Sequence, residues 1–257
     1  MGLERKTGVP TFVEQVEALY RRHEHHILPF VGRAFSIPSR TDLRVLTIGI
    51  NAYISPKDWH PERNQPHPEW LRGWFANGRH RFDRRVLKDA TELARQLVPV
   101  VPAFAGLGFA GRDSIFHTNA IKVYVPEAKG KHAHQLEDAD FERHVPQWHD
   151  ELRMMSDAGV LPHLVLVFGG PFWRYAWPAF HPAHQASRAG LEVTGYQAGA
   201  GEAAHWATRV TIAKQGAQHE LLLVRLRHPS GRTPKGSPRW LMDNTDFRTL
   251  LRERVKD

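Results

Sequence analysis

Four short runs of apolar residues constrain this chain more than any other feature: Leu43-Arg44-Val45-Leu46-Thr47-Ile48-Gly49-Ile50, the stretch from Ser114 to Val123, Leu164-Val165-Leu166-Val167-Phe168, and residues 220–226. Each is too short for a buried helix and too continuously apolar for a strand with one wet face. Strands of that kind need cover on both sides, which a mostly parallel sheet between two helical layers supplies. The runs also stop in a particular way. The first ends on Gly49, Ile50 and Asn51, the third on Gly169-Gly170, and the fourth leads to His228. A polar side chain just past an apolar strand sits at the carboxyl edge of a parallel sheet, where open α/β folds bind ligands.

The segments between the runs supply the covering helices. Thr11 and Glu14 form a capping-box pattern, and Phe12, Val13, Val16, Leu19 and Tyr20 follow at helical spacing, so a helix is predicted over about 11–26. A second is predicted over 83–98, with Val86, Ala90, Leu93, Ala94 and Leu97 on one face, a third near 140–157 and a last over 246–255. Pro171 after the two glycines suits the first position of a further helix. Residues 54–81, rich in proline and aromatics without a period, read as a long functional loop, and the Gly/Ala-rich 197–204 as a flexible turn. The strands are then about 43–50, 114–123, 164–168 and 220–226. The expected architecture is a three-layer α/β/α fold with a central, mostly parallel four-stranded sheet, one domain over residues 1–257.

Composition narrows the chemistry. Lys plus Arg outnumber Asp plus Glu by 35 to 27, a net +8, which favours an anionic partner such as nucleic acid. There is no cysteine, so disulfides, thiolate nucleophiles and Cys-ligated metals are excluded. The first residues have no apolar signal core, Lys6 stands where a myristoylation signal needs Ser or Thr, and no stretch is apolar enough to span a membrane. A cytoplasmic monomer without cofactor is the expectation.

The strand ends carry four short tags. Gly49-Ile50-Asn51-Ala52-Tyr53 closes the first strand; Phe75-Ala76-Asn77-Gly78-Arg79-His80-Arg81-Phe82 lies in the long loop; His117-Thr118-Asn119-Ala120 ends another strand; His228-Pro229-Ser230-Gly231-Arg232 follows the last. In this order the tags resemble the uracil-DNA glycosylase superfamily. The first is a hybrid of the GQDPY of its uracil-excising family and the G-[IM]-N-P-G of its mismatch-specific and single-strand-selective families. The second is similar to F-A-x-P-x-N-R-F, and the last to the HPS motif with its wedge residue. The resemblance covers about 43–240. It departs from the pattern at Ala52, where a proline is usual, and in the length of the loop between Asn51 and Phe75.

The resemblance implies excision of uracil or a related deaminated base flipped out of DNA, as the first step of base-excision repair. Breaking an N-glycosidic bond builds negative charge on the leaving base and positive charge on the sugar, so the site needs an oxyanion donor and a held water. His228 is the candidate donor, and Asn51 holds and orients water, since an amide has no useful pKa with which to deprotonate it. Asn119 carries the donor and acceptor that a uracil edge requires. Gly49, Ile50 and Tyr53 line the base, with Tyr53 crowding its C5, and Phe75 stacks on its face. Ser230, Gly231, Arg232, Lys235, Arg79 and Arg81 would contact DNA, Arg232 as the wedge, and Arg239 adds a further phosphate contact.

Other readings stay open from the residues alone. Asn51 after a glycine also suits a turn, Asn119 a strand cap, and Phe75 and Tyr53 loop packing. Asp58 and Glu62 are acids in the long loop that offer the base Asn51 lacks. His23 and His26 share a helical face, but no third ligand stands at a fixed spacing, and no metal is expected. The alternative to an enzyme is a non-catalytic nucleic-acid-binding member of the same superfamily.

Overall fold

A computed structural model describes residues 11–23, 29–38, 41–51, 81–121, 137–170, 172–183, 191–214, 216–228 and 233–253. The first helix, α1 (Phe12–Arg22), opens as its sequence predicts. The Glu14 N–H donates to Thr11 Oγ1 at 3.3 Å, and the Thr11 N–H donates back to the Glu14 carboxylate at 2.7 Å, so two otherwise orphaned amides are satisfied reciprocally. The described helix ends at Arg22 rather than at 26.

The sheet consists of β1 (Phe30–Val31), β2 (Val45–Asn51), β3 (Ile115–Ile121), β4 (Leu164–Phe168), β5 (Glu192–Ala198), β6 (Ala207–Lys214) and β7 (Ala217–Leu226), in the order β1-β3-β2-β4-β7-β6-β5. The four apolar runs are its centre, and β3-β2-β4-β7 pair in parallel throughout. The expected four-stranded sheet is corrected to a mixed one of seven strands. β1 joins one edge antiparallel, and β6 and β5 extend the other as an antiparallel wing. The wing escapes a search for continuous apolar runs because β6 alternates, placing buried Val210 and Ile212 beside buried Thr211 and Arg209. The predicted turn at 197–204 is corrected: residues 197 and 198 still belong to β5, and Gly201–His205 form a 3-10 helix between β5 and β6.

Helices cover both faces. On one, α1 and α4 (Val145–Asp157) bury Val16, Leu19, Trp148, Leu152 and Met155 against Leu46, Ile48, Val165, Val167 and Leu223. On the other, α2 (Arg81–Leu97), α6 (Pro238–Asp243) and α7 (Thr245–Arg252) bury Val86, Ala90, Leu93, Leu241, Phe247 and Leu250 against Val45, Leu164, Leu166, Leu222 and Val224. The helix predicted over 140–157 is broken in two, α3 (Asp138–Glu142) and α4. Pro146 in the first turn of α4 explains the restart, because proline lacks the N–H that a continuing helix needs. The predicted helix at Pro171 is one turn only, α5 (Trp173–Ala176), and Pro171 itself lies outside the described residues. The last helix starts at Thr245, where the Phe247 N–H donates to Asn244 Oδ1 at 2.9 Å. No described helix is long and apolar enough to cross a membrane.

Candidate active site at the carboxyl edge

Strand register decides which tags meet. Val167 of β4 pairs with Ile48 of β2 on one side and with Arg225 of β7 on the other. Three residues on from those partners come Asn51, the last of β2, and His228, two past the end of β7, which puts both at one level just beyond the end of β4. At the usual spacing of neighbouring strands their backbones are roughly 10 Å apart. Asn119 pairs with Gly49 on the adjoining strand β3, two residues short of Asn51. Three of the tags, far apart in sequence, thus converge on one stretch of the sheet's carboxyl edge.

The end of β3 is fastened from both faces. One rung below Asn119, the paired Thr47 and His117 join through Thr47 Oγ1 and His117 Nδ1 at 2.8 Å, and both residues are buried. Thr118 faces the other way, and its hydroxyl meets the Tyr20 hydroxyl of α1 at 2.8 Å. Both hydroxyls donate to the carboxylate of Glu151 on α4, Thr118 at 3.2 Å. Glu151 is wholly buried, and burial first, then its charge, raises the Tyr20 hydroxyl well above its ordinary pKa of 10. Asn119 is half-buried between these two anchors. The sequence reading missed this cluster, and its one available signal was an acid, Glu151, on the apolar stripe of a predicted helix.

His228 stands two residues past the end of β7, half-buried, and burial lowers its pKa below 6.5. The imidazole is therefore neutral at neutral pH, the form that offers one N–H donor and one acceptor. Gly169, at φ 95°, turns the chain out of β4 while its N–H donates to Leu226 O at 2.8 Å, which ties the β4 and β7 ends together. The Arg227 N–H donates to Gly236 O at 2.9 Å, so residues 233–236 run back beside the end of β7 and bring Lys235 to this edge. Asp89 on α2, not singled out by sequence, is half-buried; desolvation raises its carboxyl, and the nearby Arg227 charge opposes that rise.

Tyr53, Phe75, Arg79, Ser230, Gly231 and Arg232 lie outside the described residues, as do Asp58, Glu62 and His26, and only the backbone of Ile50, Asn51 and Arg81 is described. His23 pairs with Asp150 at 3.2 Å, and among the described residues no three His, Asp or Glu side chains are placed to hold a metal ion. Arg239 is exposed on α6 and pairs with Asp243 at 3.7 Å. A comparison with known proteins finds no family model that matches the chain and no curated protein similar to it.

Proposed function

We propose that this chain is a monofunctional DNA glycosylase that hydrolyses the N-glycosidic bond of uracil, or of a closely related deaminated base, flipped out of DNA. The observation that carries the reading is the common level of Asn51 and His228 on strands flanking β4, with Asn119 one strand further along. Hydrolysis of this bond needs a group on each side of the scissile bond, one for the departing base and one for the water, and two polar residues on strands two apart leave room for a base between them.

In this reaction the C1′–N bond breaks with its electron pair passing to the base. Neutral His228 donates a hydrogen bond to the base oxygen on which negative charge grows, an effect typically worth about 3 kcal/mol of barrier. Asn51 positions the water that adds to the cationic sugar without removing its proton in advance, so the path is strongly dissociative. Asn119 reads the polar edge of the base from a strand end that the Thr47–His117 and Tyr20–Thr118–Glu151 contacts keep in register. Tyr53 and Phe75 enclose the base, and Ser230, Arg232, Arg79 and Arg81 hold the DNA around it.

The test is alkaline cleavage of single-stranded and duplex oligonucleotides, each carrying one uracil, hypoxanthine or xanthine. Wild-type protein leaves alkali-labile sites with one of these bases, and His228→Ala and Asn51→Ala each lower the single-turnover rate by about a hundredfold or more. Salt-sensitive DNA binding without base release from any substrate overturns the catalytic reading in favour of a non-catalytic binding member.

A further inference from the structure

Near His228 the chain builds a row of two indoles with a cation at each end. The Arg225 guanidinium lies 4.9 Å from the Trp206 ring centre, the Trp206 and Trp240 rings are 5.2 Å apart at 58°, and Lys235 Nζ lies 5.5 Å from the Trp240 ring. The row joins three separate parts of the chain. The Arg225 N–H donates to Trp206 O at 2.7 Å, which fixes Trp206 opposite β7. Gly236, at φ 79°, lies against the Trp206 ring where any side chain would collide with it. A Cβ on Gly170 would stand 2.6 Å from Arg225 Nη2, so the guanidinium reaches the turn that follows β4.

The four members are not equally engaged. Lys235 has Glu202 at 3.3 Å, and Glu202 is held in turn by Asn244 Nδ2 at 3.3 Å. Arg225 is half-buried, yet among the described residues its guanidinium has no carboxylate and no hydrogen-bond acceptor. Arg209, on the neighbouring strand, shows the ordinary arrangement: it donates to Leu250 O at 3.2 Å and to the Glu220 carboxylate at 2.7 Å. Withdrawing a cation from water without an anion is unfavourable, and the indole face offsets only part of that cost. Desolvation accordingly lowers the Arg225 pKa.

We infer that Arg225, held by Trp206 in the Arg225–Trp206–Trp240–Lys235 row, is a binding site for a phosphodiester of DNA running past the carboxyl edge beside His228. An anion is what the guanidinium lacks. Paired indoles flanked by cations suit a strand that offers phosphates and base faces together, and the chain's net charge of +8 has the same sign. The inference rests on the nucleic-acid part of the proposed function and not on base excision.

The experiment measures binding of an undamaged fluorescent single-stranded oligonucleotide over a range of salt concentrations. Arg225→Gln weakens binding about tenfold and reduces the slope of log affinity against log salt by about 0.7, the share of one phosphate contact on a single strand. Arg225→Lys keeps the slope, and Arg153→Gln on α4, which has no part in the row, changes neither affinity nor slope. Trp206→Leu weakens binding, because the guanidinium loses its support. An unchanged slope in a folded Arg225→Gln protein overturns the inference. Displacement of the oligonucleotide by low millimolar inorganic phosphate, lost in Arg225→Gln, also overturns it and assigns Arg225 to a free-anion site. Base release plays no part in these readouts, so failure of the glycosylase reading and failure of this one are distinguishable.

Discussion

The centre of the sheet and its outer wing are built on opposite terms. In the centre, β2 and β4 lie between neighbours on both sides and helices on both faces, and every residue of β4 from Leu164 to Phe168 is fully buried. In the wing, β5 is an edge strand with alternating burial at its start, and β6 buries Arg209 and Thr211 along with Val210 and Ile212. The centre has little freedom to relax, whereas the wing combines apolar contact with polar ties such as Arg209 to Leu250 O of α7. The proposed site residues hang on the rigid part: Asn51 ends β2, Asn119 lies two residues before the end of β3, and His228 follows β7, the strand where centre and wing meet. The row of indoles and cations starts on that same seam, with Arg225 on β7 facing Trp206 just before β6.

The same hole made in both regions separates them most clearly. Val165 in β4 and Val210 in β6 are both wholly buried against the same face. Val165→Ala is expected to lose about 3 kcal/mol and Val210→Ala about half as much, since an outer strand closes over a cavity more readily than one locked on four sides. Urea denaturation of the two variants measures this, and equal losses would remove the distinction.

Acid tests the amino end of the seam next. His163, just before β4, accepts the Arg44 N–H through Nδ1 at 3.0 Å, and its ring lies 4.9 Å from that of His219 on β7. Burial first, then the His219 and Arg44 charges, lower its pKa from 6.5 to about 3. Between those values the unfolded chain binds a proton that the folded chain refuses. The stabilising neutral state is thus fully present above 6.5 and is lost as pH falls. Stability should drop by about 2 kcal/mol between pH 6.5 and 4.5 from this group. His163→Gln, which keeps an acceptor but does not titrate, should flatten the pH dependence of the melting temperature over that span.

A smaller effect is expected in the wing alone. Arg209→Leu removes the donors to Leu250 O and Glu220 while retaining apolar bulk, and about 1 kcal/mol should be lost in thermal denaturation, because the half-exposed Glu220 regains water. No loss would mean that α7 is held to the wing by Phe247, Leu250 and Leu251 alone.

The same difference explains what was legible in advance. Leu164 to Phe168 and Leu221 to Val224 announce themselves because double burial leaves no room for polar residues, and the capping box at Thr11 is a local contact that needs no partner elsewhere. β6 did not announce itself, since Arg209 finds its partners on β7 and α7, which no local pattern displays. The break between α3 and α4 had a local signal in Pro146, but the apolar stripe continues past it, and a single long helix was the simpler reading of that stripe.

The chain's own sequence therefore determined the layered α/β class, the central strands and the polar residues at their ends, because hydrophobic burial and turn chemistry act over a few neighbouring residues. Tertiary structure decided the register that brings Asn51 and His228 level, the Tyr20–Thr118–Glu151 anchor behind Asn119, and the meeting of Arg225 with Trp206. Each of these depends on pairing between segments about twenty residues or more apart in the chain, and the energy of such a pairing belongs to neither segment alone.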